Sequence, residues 1–211
     1  MKILFQGDSV TDAGRDRSNP HDMGEGYAKY ASAMLEDSFP DVEFEFLNLG
    51  VSGDRTENLV ARLENDFVEI QPDIISIMIG VNDVWHRFLC GIETTDSQFE
   101  ENYRTILQAI KEKTNAKIFM IAPFTIDDCY SDKAELREEL DRKIAIVERL
   151  AGQYADAYLN IDAVLSALDA DGDKMTYSQD GVHPSAEGAC FIGQKYLEAV
   201  SALVGALAEK E

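Results

Sequence analysis

Positive charge and cysteine are both scarce in this chain. Of its 211 residues, 19 are lysine or arginine and 40 are aspartate or glutamate, which gives a formal net charge of −21 at pH 7. Such a charge repels phosphate backbones and anionic lipid surfaces, so neither nucleic acid nor a membrane is an expected partner. The three cysteines are widely spaced and form no Cys-x-x-Cys pair, which disfavours a disulfide framework: Cys90, Cys129 and Cys190.

Long apolar runs are missing as well. Only a few apolar residues precede Gln6, too few for the hydrophobic part of a signal peptide, and no stretch approaches the length needed to span a bilayer. These absences predict a cytoplasmic protein. A chain of this length can bury a full core, and we expect a single domain over residues 1–211.

The sequence does contain short apolar segments that alternate with amphipathic ones. Five segments are brief and almost continuously apolar: KILFQ, FEFLNL, DIISIMI, KIFMIA and AYLNI. This pattern is typical of strands covered on both faces of a parallel sheet. Between them, apolar residues recur at helical spacing. A capping box at Ser97–Glu100 and the pair Pro184–Ser185 predict the starts of two helices. The alternation predicts a doubly wound α/β domain.

Small and polar residues follow the predicted strands. GDSVTD comes after the first strand, LGVSGD after the second and GVND after the third. In a parallel sheet the carboxyl ends of the strands meet at one edge, and ligands bind there. We therefore expect the functional site at this edge.

Ser9, in GDS, has two interpretations. It can cap the helix that follows, or it can be a nucleophile held at the end of a strand. A nucleophilic serine needs a base, and His183 is the best of the three histidines because Asp180 precedes it by three residues, across a turn at Gly181. The alternative for DGVHP is a surface turn that leads into a helix, in which His183 has no catalytic role.

An acyl-transfer site also needs hydrogen-bond donors for the oxyanion that forms in the reaction. The Gly53 N–H in GVSGD, the Asn82 amide in GVND and the Ser9 N–H can supply them. Taken singly, Gly53 is also typical of a turn and Asn82 of a loop.

Together these blocks resemble the SGNH, or GDSL-type, hydrolase family, which is named for a serine, a glycine, an asparagine and a histidine in this order. The matching residues are Ser9, Gly53, Asn82 and the pair Asp180 and His183. The resemblance implies a flavodoxin-like three-layer α/β/α sandwich with a five-stranded parallel sheet. It further implies a serine esterase with a Ser9–His183–Asp180 triad and an oxyanion hole formed by Ser9, Gly53 and Asn82, without metal or cofactor.

Three further segments are similar to those of a narrower branch of this family, the bacterial intracellular acetylxylan and other carbohydrate acetylesterases: SVTDAGRDR, GEGY and GVNDVWHRF. This similarity implies a small-molecule or oligosaccharide ester as substrate. Trp85 can stack on a sugar ring or cover the sheet edge, and Arg87 can bind sugar hydroxyls. The alternatives are a lysophospholipase, short-chain thioesterase or general carboxylesterase of the same family, and a non-catalytic flavodoxin-like binding module.

Two further segments have more than one interpretation. VSALVGAL near the C-terminus can support a homo-oligomer or form the core face of the last helix. Asp169, Asp171 and Asp173 have the spacing of a calcium loop, but Lys174 stands where that loop requires glycine. We expect a polar turn there and no metal.

Overall fold

A computed structural model describes residues 1–126, 134–168 and 174–209. Its centre is a parallel sheet of five strands: β1 (Lys2–Gly7), β2 (Glu45–Asn48), β3 (Ile74–Met78), β4 (Lys117–Ile121) and β5 (Ala157–Leu159). Each strand lies within one of the five predicted apolar segments, except that β1 continues one residue beyond KILFQ to Gly7. The spatial order is β2-β1-β3-β4-β5, the order of flavodoxin-like folds. Cys129 and the predicted polar turn at Asp169, Asp171 and Asp173 lie outside the described residues.

The helices of the described ranges are α1 (Ser9–Asp12), α2 (Tyr27–Ser38), α3 (Thr56–Ala61), α4 (Val81–Cys90), α5 (Asp96–Lys113), α6 (Ala134–Tyr154), α7 (Ile161–Ser166), α8 (Lys174–Tyr177) and α9 (Ala186–Ala208), with a π-helical turn at Glu64–Val68. None of them is apolar over a length that could cross a bilayer.

Two predicted helix starts can be compared with the structure. The Ser185 hydroxyl accepts a hydrogen bond from the Gly188 N–H at 3.1 Å, so α9 begins where the sequence predicts. The predicted capping box at Ser97–Glu100 is wrong by two residues. Thr95 and Gln98 form the box instead, since each side chain accepts a hydrogen bond from the other residue's backbone N–H.

The three layers follow from the alternation of side chains along each strand. Ile3 and Phe5 of β1 face the layer that contains α2, α7 and α9. Leu4, between them, faces the layer that contains α3, α5 and α6. Both faces of the sheet are therefore covered, which confirms the predicted sandwich and explains why the strands are apolar without a polar side.

The loops that follow β1, β2 and β3 are brought together by this sheet. Gly7, at the end of β1, is paired with Met78, at the end of β3. Beyond β2, the Val51 N–H donates to the Gly7 carbonyl at 3.1 Å. The GDS, VSGD and GVND segments consequently lie side by side at the carboxyl edge of the sheet.

Candidate active site

Ser9 is the first residue of α1 and is not its cap. The cap is Asp8, whose Oδ1 accepts the Val10 N–H at 3.0 Å. The interpretation of Ser9 as a capping residue is therefore wrong. Its Oγ instead lies 2.9 Å from Nε2 of His183, a residue 174 positions away in the chain.

His183 is held by the turn that precedes it. Its Nδ1 lies 2.7 Å from Oδ2 of Asp180. The other carboxylate oxygen, Oδ1, accepts the backbone N–H groups of Val182 at 2.9 Å and His183 at 2.7 Å. Gly181 has a φ of +79°, which a residue with a side chain rarely adopts. Ser9, His183 and Asp180 thus form a continuous hydrogen-bonded row, the arrangement that an acyl-transfer triad requires.

The charge of Asp180 is fixed by its hydrogen bonds. Partial burial pushes the pKa of its carboxyl upward, but the bonds from the His183 ring and from the two backbone N–H groups outweigh burial and hold the pKa below its usual range. Asp180 is therefore a carboxylate at neutral pH. It can orient the imidazole and stabilise the imidazolium that forms when Nε2 takes a proton.

The three predicted oxyanion donors lie in neighbouring loops. Within the described ranges, neither the Ser9 N–H nor the Gly53 N–H has an acceptor in the protein. Asn82 is buried in the first turn of α4, and its Nδ2 donates to the Asp54 carbonyl at 3.0 Å. An amide NH₂ group has two hydrogens, so one remains for a ligand. Each of the three groups thus keeps a hydrogen that has no acceptor among the described residues.

Comparison with known proteins gives the family. The model of the GDSL-like lipase/acylhydrolase family matches residues 5–189. The chain belongs to this family. An acetylxylan esterase from Geobacillus stearothermophilus is 27% identical over 206 residues, which cover 94% of this chain and 93% of that protein. The family and this relative make the chain a GDSL-like carboxylic ester hydrolase.

Solved structures of similar proteins agree with this membership. One from Parabacteroides merdae, assigned as a GDSL-like lipase, matches with a TM-score of 0.89 and 30% identity over 93% of this chain and 94% of the other. The acetylxylan esterase Axe2 from G. stearothermophilus matches with a TM-score of 0.83 and 28% identity over 93% and 92% of the two chains. Solved forms of Axe2 include catalytic mutants in which a serine or a histidine is replaced by alanine.

The two residues predicted to bind substrate have different surroundings in this GDSL-like hydrolase. The half-buried Trp85 ring lies beside the His183 ring, with their centroids 5.8 Å apart at 47°. Arg87 forms an ion pair with Glu139 of α6. The Arg87 side chain thus reaches across to the neighbouring helix rather than to the triad.

Sequence reasoning missed two buried acids next to the candidate site residues. Asp83 follows Asn82 and accepts the Thr56 N–H at 3.0 Å and the Thr56 hydroxyl at 2.7 Å. Burial raises its pKa to about 6 against these bonds. Burial likewise raises the pKa of Asp8 to about 7, against the bond from the Val10 N–H and with a further contribution from Asp83. The sequence signal that could have identified them is the acidic residue in each motif, Asp8 in GDS and Asp83 in GVND.

Asp8→Asn should stabilise this hydrolase in a pH-dependent way. The folded chain holds the Asp8 proton up to about pH 7, whereas the unfolded chain releases it near 3.8. Ionisation therefore lowers the free energy of unfolding as the pH rises through this range, by about 4 kcal/mol in full. Asparagine has no proton to lose, and its oxygen can still accept the Val10 N–H. We expect the stability gain from Asp8→Asn, measured by urea unfolding, to grow from near zero at pH 4 to about 4 kcal/mol at pH 8.

The matched control is Asp16→Asn. Asp16 is an exposed acid whose pKa is lowered by hydrogen bonds from the Ser18 hydroxyl and N–H. Because ionisation of Asp16 favours the folded state, Asp16→Asn should lower the free energy of unfolding relative to the parent, and this loss should grow as the pH rises. A stability gain from Asp8→Asn that is the same at pH 4 and pH 8 would contradict the raised pKa of Asp8.

Proposed function

We propose that this chain removes acetyl groups from carbohydrates, with acetylated xylo-oligosaccharides as the substrate class, through a serine acyl-enzyme. The observation that carries the proposal is the hydrogen-bonded row from Ser9 Oγ to His183 Nε2, at 2.9 Å, and from His183 Nδ1 to Asp180 Oδ2, at 2.7 Å. The catalytic serine and histidine of the related acetylxylan esterase Axe2 support it.

In the first half of the reaction, Ser9 Oγ attacks the ester carbonyl carbon while His183 Nε2 takes the hydroxyl proton. Asp180 stabilises the resulting imidazolium. The carbonyl oxygen becomes an oxyanion and accepts hydrogen bonds from the Ser9 N–H, the Gly53 N–H and the Asn82 amide. The bond to the leaving oxygen then breaks, and His183 gives its proton to that oxygen, which becomes a sugar hydroxyl.

The second half repeats these steps with water in place of the serine. His183 Nε2 takes a proton from a water molecule, whose oxygen attacks the acetyl carbon of the Ser9 ester. The oxyanion re-forms at the same three donors. When it collapses, the proton returns to Ser9 Oγ, and acetate leaves as the product.

A neutral sugar ester suits this chain better than the other ester classes. The net charge of −21 disfavours the approach of anionic phospholipids or coenzyme A thioesters. Trp85, beside His183, offers an indole ring on the side of the base, where the leaving sugar departs. The similarity to an acetylxylan esterase along nearly the whole chain supports the same choice.

The test is a comparison of kcat/KM over a substrate panel. Acetylated xylo-oligosaccharides, p-nitrophenyl acetate, butyrate and octanoate, a lysophospholipid and acetyl-coenzyme A should be assayed with the same preparation. We expect the acetylated oligosaccharides to give the highest value, and p-nitrophenyl acetate to exceed the octanoate by at least about tenfold. A maximum with octanoate, the lysophospholipid or the thioester would overturn the substrate class.

Trp85→Ala probes the sugar contact within the same panel. Loss of a stacking surface should raise KM for the oligosaccharide about tenfold more than KM for p-nitrophenyl acetate. An equal change with both substrates would mean that the indole acts on His183 alone.

A further inference from the structure

We propose that Arg62 is a positioning residue that holds the three oxyanion donors in place relative to one another. Resting on the proposed function, this inference assigns Arg62 a part in the rate of the reaction although it touches no reacting atom. It follows from the way in which one guanidinium group joins the loops that carry Ser9, Gly53 and Asn82.

Arg62 follows α3, and its side chain is mostly buried, with 16% exposed. All three guanidinium nitrogens have acceptors. Nε donates to Asp54 Oδ2 at 3.0 Å, and Nη1 donates to Gln6 Oε1 at 2.8 Å and Asp66 Oδ2 at 2.9 Å. Nη2 lies 3.5 Å from the Gly7 carbonyl oxygen. The planar fork of arginine can serve these acceptors together, which the ammonium group of lysine cannot.

Asp54 connects Arg62 to two of the donors. It directly follows Gly53, so its peptide N–H and the Gly53 N–H belong to the same tight turn. Its carbonyl oxygen accepts the Asn82 Nδ2–H at 3.0 Å and thereby fixes the orientation of that amide. A change in the position of Asp54 would therefore move both donors.

The same guanidinium connects to the third donor through β1. Gln6 is fully buried, and its Nε2 donates to the Asp66 carbonyl at 2.6 Å, so its acceptor oxygen is held towards Arg62. Gly7 is the last residue of β1 and stands two positions before Ser9. Arg62 thus links the strand end that carries Ser9 with the turn that carries Gly53.

The Gly53 turn needs such a link because little else packs on it. Gly53 is exposed, has a φ of +87°, and has no heavy atom within 4 Å of the place where a Cβ would lie. The turn is anchored through its neighbours: the Ser52 N–H and hydroxyl both donate to Asp12 at 2.8 Å, and Asp54 pairs with Arg62. Donors stabilise an oxyanion only if they are already in position when it forms.

The test uses Arg62→Ala, Arg62→Lys and Asp54→Asn with p-nitrophenyl acetate. A misplacement of about 1 Å can reduce the rate about 10²-fold. We expect Arg62→Ala to lower kcat by about this factor while KM changes less than about threefold. Arg62→Lys and Asp54→Asn each keep part of the network and should lose about tenfold. In an Asn82→Ala background the further loss from Arg62→Ala should shrink below about tenfold, because both act on the same oxyanion.

Arg104→Ala is the matched control, because Arg104 also joins two elements, α5 and α6, through Glu100 and Tyr154, away from the triad. It should leave kcat unchanged. If Arg62→Ala does not fold, the lysine and Asp54→Asn variants carry the test. Folded variants with parental kcat, or losses that multiply fully with Asn82→Ala, would overturn the role of Arg62. Failure of the proposed function is distinguishable, since it would appear as activity that survives Ser9→Ala.

Discussion

Ser9→Ala should lower kcat for p-nitrophenyl acetate by on the order of 10⁵- to 10⁶-fold. The hydroxyl oxygen lies 2.9 Å from His183 Nε2 and is the only proposed site of the acyl bond. Without it, catalysis is limited to the binding of the ester and the stabilisation of the oxyanion during attack by water. His183→Ala should cost nearly as much, and the double variant little more than either, because the two residues act as one unit.

The fold of the Ser9→Ala variant should be intact. Asp8, not Ser9, caps α1, so the substitution removes no helix-capping bond. The matched control is Ser32→Ala in α2, where the hydroxyl donates to the Lys29 carbonyl of its own helix and to no other residue that the structure describes. It should keep parental kcat. Loss of less than about tenfold in a folded Ser9→Ala variant, measured as p-nitrophenol release, would refute the nucleophile assignment.

The sheet and its layers were predictable because they depend on local patterns. Runs such as DIISIMI are apolar at every position, and only a strand buried on both faces can use them all. The position of Ser9 follows from the same logic, because it comes directly after β1 at the carboxyl edge of the sheet. His183 follows no strand and lies in the turn before α9, so it was predicted from its spacing to Asp180 and from the family resemblance. Burial of apolar surface is non-directional, so a sequence pattern is enough to predict it.

The polar network around the site was less predictable, because charge pairing depends on which surfaces meet. Arg62 looks like an ordinary helix-surface arginine in the sequence, yet it binds Gln6, 56 residues away. Arg87 pairs with Glu139, 52 residues away, a partner that its sequence surroundings do not indicate. Asp8 belongs to the GDS segment, and in the structure it caps α1. Such partners are fixed only after the layers have packed.

Asp180→Asn should lower kcat by on the order of 10³- to 10⁴-fold while leaving the turn intact. Oδ1 of Asp180 accepts two backbone N–H groups, from Val182 and His183. In asparagine the amide oxygen will take this position, because only an acceptor fits there. The NH₂ group then replaces Oδ2 and faces Nδ1 of His183, which must become an acceptor. The imidazole proton moves to Nε2, and the base that faces Ser9 is lost.

Asp22→Asn is the matched control for this substitution. Asp22 also accepts two backbone N–H groups, those of Asp16 and Gly24, at a turn. It contacts no triad residue, so its replacement should leave kcat near the parental value. Because the pKa of Asp180 lies below its usual range, the parent carries the carboxylate throughout pH 5 to 8, and the deficit of Asp180→Asn should persist across neutral pH. A variant within about tenfold of the parent at pH 7 would show that the carboxylate does not set the tautomer of His183.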